Sequence, residues 1–324
     1  MENLWSDEQI ESIKEAMRET GIFLPADGTD NEAIFDHIGE RREMDENGSC
    51  GDGYLVPNKN RTYCTLAARL DVGRHHVTSG GPASHKRFKE NILSTVGISF
   101  FQRYFSHDLD MSTIGAMTDQ VFKNPNYVKI SKQFCPTPGI THYEMVTITV
   151  LLPGLEIPIH YDVPYFKHVS RMTTPVWLLI ALKQSGLWSF DDVPHMQGVA
   201  YIHGNKTHPS IDGGDFVLYP NGPYGPKVSF PAKHNTAIFI DGTMTAHGVE
   251  PFKPDRKPIA SNKDLPKKLV YAGKKSWNMF EGEILRAQYH EDELRFGVVW
   301  RELCLPDKHA YDKVNANLRK QVNI

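Results

Sequence analysis

The chain has 324 residues, 40% of them hydrophobic and 23% charged, with a formal net charge of −3. That is enough material for one large core, and the near-neutral balance argues against general nucleic-acid binding, which calls for a pronounced basic face. No eighteen-residue apolar run occurs and Met1-Glu-Asn-Leu-Trp-Ser-Asp-Glu8 carries no signal-peptide core, so no membrane span is signalled and a cytoplasmic protein is expected.

In chain order, Ser6-Asp-Glu-Gln9 reads as a capping box that opens an amphipathic helix, with Ile10, Ile13 and Met17 on one face and Gly21 at its end. A second helix is expected from Asn31 to about Met44, then a Gly- and Asn-rich loop through Gly53. Further helices are expected at Ser84–Ser94 and Gly115–Lys123, with Phe100, Phe101, Tyr104 and Phe105 packed between them. Residues 1–140 therefore read as a mostly helical support. Cys50, Cys64, Cys135 and Cys304 lie far apart without a C-x-x-C pair and are expected as free thiols.

From Tyr143 onward the pattern turns to strands: Met145–Leu152, Ile157–His160, Val176–Leu182, Val199–His203, Asp215–Tyr219, Thr236–Ile240 and Leu294–Leu303. Short strands separated by Gly and Pro turns argue for a closed or two-sheet architecture. The expected fold class is mainly β with supporting helices (α+β). A single domain spans 1–324, with a β core over 141–306, an insertion at about 252–293 and a tail at 307–324.

Three pieces of this β region carry chemistry. His160-Tyr161-Asp162 ends an early strand, and residues two apart on a strand project to one side, about 6 to 7 Å apart at Cα. His247 follows a second strand and the Gly242 turn. Two histidines and one carboxylate, with open positions opposite them, make a facial metal triad of the non-haem Fe(II) type. The third piece is Glu293-Leu-Arg295-Phe-Gly297-Val-Val-Trp300-Arg301, whose parity puts Arg295, Gly297, Val299 and Arg301 on one face. A guanidinium forks onto a carboxylate and stays charged when buried, which suits anchoring a dicarboxylate beside a metal. An edge strand with solvated arginines is the competing reading.

Together, His160-x-Asp162, His247 and Arg295-x-Gly297-x-x-x-Arg301 resemble the Fe(II)/2-oxoglutarate-dependent oxygenase superfamily over about half of the chain. The resemblance implies a double-stranded β-helix (jelly roll, cupin-like). It also implies Fe(II) held by His160, Asp162 and His247, with 2-oxoglutarate and O2 as cosubstrates. Arg295 would anchor the distal carboxylate, with Arg301 beside it. The implied reaction oxidises an unactivated C–H and releases succinate and CO2. Its outcome is hydroxylation, or cyclisation or desaturation as in specialised-metabolite biosynthesis, a kainoid-synthase-like activity among them. The paired arginines also resemble the nucleic-acid dealkylase branch, which has asparagine where Gly297 stands. A protein or nucleic-acid hydroxylase or demethylase, and a non-redox metal-binding cupin, are the alternatives.

Arg256 is a rival anchor, but Phe252-Lys-Pro-Asp-Arg-Lys-Pro258 reads as a loop. The segment Lys253–Lys275 is locally basic, read either as a lid that draws a small anionic, carboxylated and amino-acid-derived substrate, or as a solvated loop. Tyr165, Phe166, His168 and Arg171, which follow the His-x-Asp strand, and Asn221 and Tyr224 are candidate substrate contacts, with loop packing the competing role. His195, His203 and His208 lack a metal-fixing spacing and are expected to be structural or surface residues.

Overall fold

The computed structural model describes residues 1–25, 41–48, 55–57, 62, 64–66, 70–71, 101–105, 123–135, 140–169, 179, 182–183, 188–204, 212–221, 226–256, 259 and 265–322. In chain order the described elements begin with α1 (Asp7–Thr20), β1 (Ile22–Pro25), β2 (Arg41–Arg42), β3 (Leu55–Pro57), β4 (Cys64–Leu66), β5 (Leu70–Asp71), β6 (Phe101–Phe105) and α2 (Pro125–Phe134). There follow β7 (Ile140–Leu151), β8 (Ile157–His160), β9 (Tyr165–Phe166), β10 (Asp192–Val193), β11 (His195–Tyr201), β12 (Phe216–Tyr219), β13 (Val228–Phe230), β14 (Ala237–Ile240) and β15 (Ala246–Val249). The chain then runs through β16 (Lys267–Gly273), β17 (Ser276–Glu281), β18 (Ile284–His290), β19 (Arg295–Leu305) and α3 (Lys308–Val322). Among the described residues, no helix is long and apolar enough to cross a membrane.

Eight strands form the core, and their pairing defines it. Taken in chain order as one to eight, β7, β8, β11, β12, β13, β14, β15 and β19 divide between two antiparallel sheets. The core strands of the larger run β14-β11-β19-β7, or six-three-eight-one, and those of the smaller run β13-β12-β15-β8, or five-four-seven-two, with β5 added at the β8 edge. That winding is a double-stranded β-helix, in which consecutive strands cross between the sheets in pairs.

Sequence alternation decides which side chain faces where. On β7, Val146, Ile148 and Val150 point outward and pack with Ile10, Ile13 and Met17 of α1 and Tyr127 of α2. Thr147, Thr149 and Leu151 point the other way, toward the space between the sheets. β19 behaves likewise: Phe296, Val298 and Trp300 join the outer core, while Arg295, Gly297, Val299 and Arg301 share the inner parity. Because β19 lies between β11 and β7, it is a central strand and not a solvated edge. Glu302, fully buried, is bonded by the hydroxyls of Tyr127 and Ser131 and so ties α2 to this strand.

The capping box is present as expected: Ser6 accepts from the Gln9 amide, and Gln9 accepts from the Ser6 amide at 2.9 Å. Several other expectations are corrected. Phe101–Phe105 is a strand between β1 and β7, not an interhelical aromatic cluster. Of the expected second helix, the described Arg41–Arg42 form a strand paired with β4 and Glu43 and Met44 are irregular; residues 31–40 lie outside the described residues. In Val176–Leu182, the described Leu179 and Leu182 are helical. Ser84–Ser94 and most of Gly115–Lys123 lie outside the described residues. The tail is a helix over most of its length. The basic insertion is a three-stranded meander, β16-β17-β18, joined through β1 and β6 to the far side of β7. Neighbouring strands lie about 4.8 Å apart, so β16 is three strand spacings from the nearest core strand along the sheet; residues 257–258 and 260–264 of the basic segment lie outside the described residues.

Cys135 and Cys304, expected as thiols, are joined by a disulfide that links the end of α2 to β19 across 169 positions of sequence. Closing so large a loop restricts the unfolded chain, so Cys135→Ser is expected to cost about 2–4 kcal/mol. Denaturant unfolding of wild type and variant without reductant checks this. Equal midpoints would remove the bond's share in stability.

Candidate metal centre

The three residues singled out by motif meet. His160 closes β8, Asp162 follows two residues later, and His247 lies on β15, which pairs directly with β8 so that His247 is opposite His160. One ligand atom from each lies within 4.8 Å of the other two, so the three could hold a metal ion. The imidazoles are tilted with centroids 4.3 Å apart, and Phe216 stacks on His247.

Outer contacts orient the ligands. His247 Nδ1 donates to the Thr245 carbonyl at 2.8 Å, which leaves the Nε2 lone pair facing inward, 3.8 Å from Asp162 Oδ2. Arg301 Nη2 lies 3.2 Å from Asp162 Oδ1, and its Nη1 donates to the Val163 carbonyl. The two carboxylate oxygens thus face different partners: one an arginine, the other the space between the ligands. The Asp162 amide donates to the Gly242 carbonyl, which pins the turn beneath the carboxylate.

Gly242 is required by crowding. A Cβ built there would overlap Asp162 Oδ2 and sit 2.9 Å from Gln197 Oε1. Gly242→Ala is therefore expected to destabilise the fold by about 1–3 kcal/mol through overpacking and to push the carboxylate off its position. Thermal unfolding and a Mn(II) titration read the two effects; an unaltered metal affinity would show that the turn yields instead of the carboxylate.

Arg295 is 1% exposed. Its Cζ lies 4.8 Å above the Tyr201 ring, Gly214 closes against its side chain, and its Nε and Nη2 have no hydrogen-bond partner among the described residues. Burial pulls its pKa down, while Tyr201 and Asp215 oppose this. The same burial pushes Tyr201 up, with Arg295 opposing. His203, expected to be structural, is indeed buried: Nε2 meets the Ala232 carbonyl at 2.9 Å, and burial followed by Arg295 lowers its pKa to about 4. Arg256, the rival anchor, is exposed in a turn.

The remaining candidates separate. Phe166 is buried and packs with Val163 and Leu179. Tyr165 is half-buried against Val193 and Leu303, and Asn221 is exposed in a turn. The His168 ring bonds buried Asp191 at 2.5 Å. Arg171, Tyr224 and His208 lie outside the described residues. Gln197 and Tyr201 on β11 were missed. Their inward parity with Val199 was readable, but no motif marks them.

By strand order the chain is a double-stranded β-helix. No protein-family model and no curated protein sequence matches it. Among solved structures, a 2OG-Fe(II) oxygenase family oxidoreductase from Burkholderia pseudomallei is similar, with 13% identity over 63% of this chain and 68% of that one, and a TM-score of 0.35. The non-heme alpha ketoglutarate dependent carbocyclase SnoK from nogalamycin biosynthesis is 9% identical over 64% of each chain, with a TM-score of 0.32. A prolyl-4-hydroxylase from Pseudomonas putida is 9% identical over 64% of this chain and 71% of that one, with a TM-score of 0.30.

Proposed function

We propose that the protein is an Fe(II)/2-oxoglutarate-dependent oxygenase. One observation carries the reading: a row of buried polar atoms short of hydrogen-bond partners runs between the sheets, with the Tyr201 hydroxyl and the Arg295 guanidinium facing each other at one end. The atoms are Gln197 Oε1, Thr147 Oγ1, the Tyr201 hydroxyl, and Arg295 Nε and Nη2. They lie on the inner parities of β7, β11 and β19, with Gln197 beside Arg301 and Tyr201 beside Arg295. Each such group costs about 1–3 kcal/mol when left unbonded, so a row of them calls for a ligand that completes it. A keto-dicarboxylate fits: a carboxylate at one end for the Arg295 fork and the Tyr201 hydroxyl, and chelating oxygens at the other end for the metal.

His160, Asp162 and His247 would hold Fe(II) on one side, leaving the opposite positions for small ligands. When bound, Fe(II) with 2-oxoglutarate and O2 supplies oxidation of an unactivated C–H, releasing succinate and CO2. The chain's own part is positioning. Arg301 fixes one oxygen of Asp162, Thr245 fixes the tautomer of His247, and the two sheets screen the interior from water. Arg301 is engaged by Asp162 and Val163, and the lysines of β16 lie on the meander.

The test is anaerobic addition of Fe(II) and 2-oxoglutarate to purified protein. A weak visible charge-transfer band that needs both components supports the oxygenase. Its absence from folded protein would overturn the reading and leave a non-redox metal-binding cupin.

A further inference from the structure

We propose that Gln197 is a positioning residue for the metal-binding carboxylate, its side-chain amide holding Asp162 on the side away from Arg301. The inference rests on the metal site proposed above. In the β11–β19 register Gln197 is directly opposite Arg301, so both side chains leave adjacent strands toward the same end of the interior. Gln197 is 6% exposed, and its Oε1 is buried without a hydrogen-bond partner. Asp162 Oδ2 and Gln197 Oε1 converge over one point, the Cα of Gly242, where any Cβ would meet both.

Two acceptor oxygens aimed at one spot repel. The oxygen and nitrogen of an amide exchange places by a half-turn about the last side-chain bond, and the hydrogen-bond surroundings decide between them. With Nε2 turned toward Asp162 the amide donates to the carboxylate, and the contact changes from repulsion to a charge-assisted hydrogen bond. Arg301 then binds Oδ1 and Gln197 approaches from the Oδ2 side, which leaves the carboxylate one orientation in which to meet a metal. Groups of this kind, touching a ligand and not the metal, typically change metal affinity by about 10–100-fold when removed.

The bland role is space filling beside Val199 and Ile240. The two roles differ in sign. As mere filler, the buried amide destabilises the fold, and an apolar side chain of similar size would raise stability and leave the metal site alone. As a positioning group, it is needed when the metal binds.

The experiment titrates the full-length, metal-free protein with Mn(II), following free Mn(II) by electron paramagnetic resonance, for wild type and Gln197→Met, with Gln197→Leu as a second variant should the first fold poorly. Expected is a 10–100-fold weaker affinity in the variant with an unchanged or higher unfolding temperature without metal. Affinity within twofold of wild type, or a loss that accompanies a lower unfolding temperature, overturns the role. If wild type itself takes up no Mn(II), the metal-site reading falls and this inference with it; if wild type binds and Gln197→Met binds equally, only this inference falls.

Discussion

If the proposed function holds, Asp162→Ala is expected to reduce metal affinity by at least about a thousandfold and to abolish turnover, because it would remove the one anionic group of the proposed three-residue site. It is also expected to destabilise the metal-free fold by about 3 kcal/mol, for a separate reason. Arg301 is buried, and without the carboxylate 3.2 Å from its Nη2 it loses its ion-pair partner. The two losses can be parted. In Asp162→Ala/Arg301→Met the buried charge is gone as well, so stability should return while metal binding stays lost. Thermal unfolding without metal and Mn(II) titration read the pair of effects. If the double variant is as unstable as the single one, the Arg301 account is wrong.

Arg295→Met is expected to act in the opposite sense on the fold. The guanidinium is buried with two nitrogens unbonded, so exchanging it for an apolar chain of similar length should leave the metal-free protein as stable or more stable. Binding of 2-oxoglutarate, in contrast, should weaken by more than a hundredfold, since a charged fork onto a carboxylate contributes about 3 kcal/mol. Calorimetric titration of the Mn(II)-loaded protein measures this directly. Unchanged affinity would move the carboxylate anchor away from Arg295, and a lower unfolding temperature would make Arg295 a structural residue.

The meeting of His160, Asp162 and His247 was legible because strand geometry is periodic: an i, i+2 pair at the end of β8 must share a side, and a histidine after a second strand can reach it. The parity of Arg295 and Arg301 was legible for the same reason. What was not legible has identifiable causes. Asn124-Pro125 carries the cap and first-turn signals of α2, with the Asn124 side chain accepting from the amides of Asn126 and Tyr127, but the helix is short and these signals went unread. Phe101–Phe105 contains aromatic residues that fit either a helix face or a strand, and only its pairing with β7 decides. The meander was hidden by its lysines, although Trp277, Met279 and Glu281 alternate with less buried neighbours along β17. The Cys135–Cys304 pair lies 169 positions apart, a separation that no spacing rule addresses. Nor does sequence foretell that Arg301 would be drawn to Asp162, since that depends on the register of three strands.

The covalent tie between α2 and β19 bears on laboratory practice. In an assay of the proposed activity, ferrous iron must be kept from oxidising, and thiol reagents or ascorbate do this. A thiol reagent exchanges with protein disulfides and would cut the tether on the strand that carries both arginines. Ascorbate spares it. Activity compared between the two reductants at equal iron therefore reports on the tether itself, and preparations made in a reducing host need an oxidising step before their kinetics describe the tethered molecule.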